Sequence, residues 1–139
     1  MRYLLLFILL FTGCQDKIYS RIYKQDEVGA NIPTLSISET NQTIRAIAIS
    51  AIQDAHFKVA TGSPYVLDID GATYPKKCNN PNTSTYEATY DGYIKLTLLK
   101  NMKRVYMCQK DYHGTLNEEV IEDLIEKMQD DLELVNLVH

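Results

Sequence analysis

The chain has 139 residues, 45% of them hydrophobic and 23% charged, which suits one globular domain and excludes a disordered polymer. A formal net charge of −4 argues against general binding along a nucleic-acid backbone. No apolar run reaches the ~20 residues a membrane-spanning helix needs, and three cysteines leave one odd thiol to explain.

Met1-Arg2 is a basic start, Tyr3 to Phe11 is apolar, and Thr12-Gly13-Cys14 follows. This pattern predicts a secretory signal over residues 1–13, too short to be a transmembrane anchor. The residues before Cys14 resemble a bacterial lipobox, with Phe11 where Leu is commonest. That resemblance implies cleavage before Cys14 and a diacylglyceryl group on its thiol. Two or three acyl chains would then anchor the chain stably, at ~0.8 kcal/mol per buried CH₂. Gln15 stands where an Asp would hold a lipoprotein in the inner membrane, so the outer membrane is expected. The alternative is a plain cleaved signal with an ordinary cysteine beside it.

Setting Cys14 aside leaves Cys78 and Cys108, an even pair in an oxidising compartment. No CxxC occurs, and neither cysteine has a base beside it in sequence. A structural disulfide is expected, contributing roughly 3–4 kcal/mol in the chain-entropy account.

Residues 14–31 read as a lipidated tether, with a short strand at Ile18 to Tyr23, and 32–139 as the domain. Thr34 to Ser38 alternates as a strand, and Ser38, Thr40 and Asn41 all suit a helix N-cap. Ile44, Ile47, Ala48, Ala51, Ile52 and Ala55 then recur at helical spacing, on a narrow face of small residues. Tyr65 to Tyr74 alternates as a strand, and Pro75 to Thr83 is a turn region. From Tyr86 to Leu98 a period of two predicts one packed and one wet face. Lys100-Asn101-Met102-Lys103 predicts a hairpin turn into a strand over Val105 to Tyr112. Thr115 and Glu118 read as a capping box opening a last helix, whose stripe runs from Val120 to Val135. The fold class expected is α+β, a two-layer sandwich in the order β-α-β-β-β-α. Both helices cover one face of a mixed, mostly antiparallel sheet.

No catalytic group, metal site or cofactor is expected. Asp68 and Asp70 share a strand face, which a cation site or a solvated face explains equally. His56 and His113 lack a patterned third ligand. Between Ala72 and Tyr112 the basic residues are Lys76, Lys77, Lys95, Lys100, Lys103, Arg104 and Lys110, whereas the last helix is acidic. The basic residues form either a solvated face or a patch for an anionic partner.

The run Tyr65-Val66-Leu67-Asp68-Ile69-Asp70-Gly71-Ala72-Thr73-Tyr74, then a turn, then Tyr86-Glu87-Ala88-Thr89-Tyr90, resembles the lipopolysaccharide-assembly lipoprotein family, LptE. The resemblance spans Pro33 to Leu134. It implies an outer-membrane lipoprotein facing the periplasm that plugs and helps assemble a large β-barrel partner, LptD. It also implies lipopolysaccharide binding, for which Lys76, Lys77, Lys100, Lys103 and Arg104 are the candidates. A scaffold lipoprotein of another envelope or secretion complex, or a small-ligand-binding lipoprotein, fits the same architecture.

Overall fold

In the computed structural model, which describes residues 17–39, 41–74 and 90–134, one sheet collects every described strand. The strands are β1 (Ile18–Ile22), β2 (Thr34–Ser38), β3 (Lys58–Val59), β4 (Tyr65–Thr73), β5 (Gly92–Lys100) and β6 (Lys103–Tyr112). Their order across the sheet is β1-β6-β5-β4-β2-β3. The pairs β1/β6, β6/β5 and β5/β4 are antiparallel, and β4/β2 and β2/β3 are parallel. Helix α1 (Gln42–Asp54) makes the crossover that parallel neighbours require, and α2 (Glu118–Asp131) follows β6. The expected α+β architecture, two helices on one side of a mixed and mostly antiparallel sheet, is what the chain adopts. β3 is an addition; two residues are too few to show a period.

Alternation sets the layers. Leu67 and Ile69 of β4, Ile94, Leu96 and Leu98 of β5, and Tyr106 and Cys108 of β6 are all buried. Ala48, Ala51 and Ile52 of α1, and Ile121, Leu124, Ile125 and Met128 of α2, close over them. Small residues on α1 let that helix lie close to its neighbours.

Helix ends follow local chemistry. Asn41 is the cap chosen for α1: its Oδ1 accepts from the amides of Thr43 and Ile44 at 3.0 and 3.3 Å. α1 stops at His56, which takes a left-handed φ of 69° while the Phe57 amide bonds back to Ile52. For α2 the cap is Asn117, accepting from Val120 N at 3.2 Å, so the box expected at Thr115 is not used. Leu116 packs against the core from the loop instead of entering a helical turn.

Two expectations are corrected. Cys108 is a free thiol, fully buried, with its Sγ 3.5 Å from the Leu124 carbonyl it donates to. It points into the close-packed layer under α2, and no disulfide forms there; Cys78 lies outside the described residues. The segment read as a tether carries the anticipated strand, but that strand is a full member of the sheet. Beyond it a 3-10 turn, Gln25–Glu27, and a hydrogen bond from Gly29 N to the Leu132 carbonyl at 2.7 Å fasten it to the end of α2. The sheet therefore extends upstream of the boundary expected at residue 32. Cys14, Lys76, Lys77 and the strand start at Tyr86 to Thr89 lie outside the described residues, as does Val135.

Candidate functional site

The β5–β6 turn gathers three of the basic residues singled out by sequence. Asn101 and Met102 both have positive φ, 50° and 67°, the pairing of a two-residue hairpin whose twist matches the strands. Lys100 and Lys103 are thereby paired directly across the turn. A register shift between Leu98 and Leu99 then leaves Val105 as an extra residue, with Arg104 opposite Leu99. The Val105 carbonyl accepts from the amides of Tyr23 and Lys24, so the bulge joins the turn to the end of β1.

These cations do not behave alike. Lys100 Nζ donates to Glu27 Oε1 at 2.7 Å and lies 5.3 Å from the centre of the Tyr65 ring. The Tyr65 hydroxyl donates to Glu27 Oε2 at 3.0 Å. The hydrogen bond from Lys100 holds the Glu27 carboxyl below its ordinary value, against the opposing effect of burial, and Glu27 in turn raises Lys100. Lys100 is thus committed to an internal clasp. Lys103 and Arg104 are exposed and directed outward from the same turn. Sequence reasoning missed Glu27, since residues 15–31 show no period that would place it.

Elsewhere on the sheet, basic groups meet acidic ones singly. Lys110 Nζ lies 2.6 Å from Asp123 Oδ2 of α2, and Lys95 lies 3.8 Å from Asp70. Asp68 and Asp70 do share the face away from the helices, by the period-two alternation. On that face Tyr74 donates to Asp111 at 2.8 Å and tilts against Tyr93 at 6.0 Å between ring centres. His113 stacks on Tyr90 at 4.5 Å, and His56 serves as the helix stop described above.

Between the helices a groove of about 310 Å³ is lined by Ala51, Asp54, Ala55, Glu122, Ile125, Glu126 and Gln129. At its rim Asp54, Glu118 and Glu122 bring carboxylate oxygens within 4.8 Å of one another. Partial desolvation, then the charges of Glu118 and Asp54, hold Glu122 above its ordinary value. Glu118 also accepts from the Ser50 hydroxyl at 2.8 Å.

Taken together, the turn end of the sheet can hold an anion by charge-assisted hydrogen bonds from Lys103 and Arg104. Among the described residues, no helix is long and apolar enough to cross a membrane. No protein-family model and no curated protein matches the chain. Among solved structures, it is similar to a minor lipoprotein from Acinetobacter baumannii, solved at 2.35 Å. The TM-score is 0.40 and the identity 11%, over 72% of this chain and 91% of that one. At that distance the likeness transfers neither fold nor function.

Proposed function

We propose that the protein is an outer-membrane lipoprotein, anchored through Cys14 and facing the periplasm. It would bind without catalysing, assisting lipopolysaccharide transport and the assembly of an LptD-like β-barrel. The observation that carries this reading is the β5–β6 turn, where Lys103 and Arg104 are exposed side by side while Lys100 is held back by Glu27. Two outward cations at one tip suit the phosphates of lipid A. The helix, strands and helix from α1 to α2 keep the element order on which the resemblance to LptE rests.

Pull-down through a C-terminal tag tests it, and a large outer-membrane barrel is the expected capture. Recovery of secretion or inner-membrane components without a barrel would favour the second reading, a scaffold for another envelope complex. That reading has its own support in the sheet face left bare by the helices, where Tyr74 remains 39% exposed. Lys103→Ser with Arg104→Ser should weaken lipopolysaccharide binding on the order of tenfold, at ~1 kcal/mol or so for each charged hydrogen bond lost. Unchanged affinity removes the lipopolysaccharide arm.

A further inference from the structure

β1 carries two cation–aromatic pairs. Lys17 Nζ lies 5.3 Å from the centre of the Tyr19 ring, and the Arg21 guanidinium lies 5.1 Å from that of Tyr23. The face they occupy follows from register. Ser20 is opposite Cys108, whose thiol donates to α2, and Ile18 and Ile22 pack against the core. Alternation then turns Lys17, Tyr19, Arg21 and Tyr23 to the side away from the helices. All four are exposed, Tyr19 to 57% and Tyr23 to 38%.

Exposed tyrosines along an edge strand are unfavourable in water and open the edge to unwanted pairing. The same composition suits a membrane–water interface, where tyrosine rings sit at headgroup depth and Lys and Arg meet anionic headgroups. Chain length makes the membrane the occupant. Lys17 follows Cys14 by three residues, so their Cα atoms are at most ~11 Å apart. A headgroup layer is roughly 5–8 Å thick. A lipid on Cys14 therefore starts β1 in, or directly on, that layer.

We infer that the stripe Lys17, Tyr19, Arg21 and Tyr23 docks on the anionic phospholipid surface in which Cys14 is anchored, laying the β1 edge of the sheet along the membrane. This rests on the acylation of Cys14 and on no barrel partner.

The core lies between Ile18 and Leu134, so a chain starting at position 14 with Cys14→Ser retains the fold and carries no lipid. It is sedimented at low salt with vesicles of equimolar phosphatidylcholine and phosphatidylglycerol. Binding to these, and not to phosphatidylcholine alone, is expected. Lys17→Gln with Arg21→Gln should weaken it on the order of tenfold or more, and Tyr19→Ser with Tyr23→Ser should weaken it further. Lys58→Gln, exposed on β3 at the opposite edge, should change nothing. Undiminished binding by the Lys17 and Arg21 variant overturns the inference. So does an equal loss from Lys58→Gln, or capture by lipopolysaccharide aggregates and not by vesicles. Palmitate labelling of the wild type and of Cys14→Ala reports on the anchor separately, so the two failures are distinguishable.

Discussion

Tyr106 is fully buried, and its hydroxyl meets Asp131 Oδ2 at 2.7 Å across the sheet–helix boundary. Burial, the neighbouring Cys108 and Asp131 all push the phenol upward, so it stays a neutral donor. Burial raises the Asp131 carboxyl, but hydrogen bonds from Tyr106, Ser20 and Lys127 outweigh this and leave it lowered. Tyr106→Phe should cost about 1–2 kcal/mol by urea denaturation, because Asp131 keeps its other donors. A lowered carboxyl contributes stability that is present above its unfolded value, near 4, and lost as pH falls through the folded one. Glu27, lowered by Lys100, has the same sign. Stability should therefore fall below about pH 4, and less steeply in Asp131→Asn than in the wild type. Cys108 is pushed up to about 12, chiefly by burial. Iodoacetamide at pH 8 should leave it unlabelled in the native chain and label it in denaturant, as peptide mass would show.

The β5–β6 hairpin places a non-glycine residue where glycine is favoured. Met102 has a φ of 67° and is 81% exposed, so its side chain gains little contact in return for the strained backbone. Met102→Gly creates an Asn-Gly turn and should raise stability by about 0.5–1 kcal/mol, partly offset by the freer unfolded chain. No gain in melting temperature would refute the strain. Gly92 is the opposite case. A Cβ there would lie 2.6 Å from the Ala72 carbonyl and 2.5 Å from the Tyr112 hydroxyl. Gly92→Ala should destabilise by about 1–3 kcal/mol, the usual range for an overpacked core. The long strands and the turn were legible because a period of two over β4, β5 and β6 has few alternative readings. β1 was legible as a run, but not its pairing with β6, which is set by register far along the chain. The turn's cations could be named from sequence; the Glu27–Lys100 pair could not, since its partners are 73 positions apart.

At the scale of the molecule, charge is divided between a sheet rich in Lys and an acidic α2. Some of that division is productive: Lys110 reaches Asp123 across the layers, and Lys127 reaches Asp131 one turn along α2. The groove between the helices is not, because Asp54, Glu118 and Glu122 face one another there. Glu122 has its carboxyl raised in the folded state, first by desolvation and then by these neighbours. A carboxyl raised on folding opposes the fold once ionised, so the relative stability is greatest below its unfolded value and declines as pH rises through the folded one. Glu122→Gln should accordingly raise the melting temperature at pH 7. The gain should vanish near pH 4, where the wild-type carboxyl is already protonated, and shrink in high salt as the repulsion is screened. Thermal melts followed by circular dichroism at the two pH values, with and without added salt, check this. A loss of stability at pH 7 would mean that Glu122 makes an attractive contact outweighing its acidic neighbours, and the groove would have to be counted among the elements that hold the helices together.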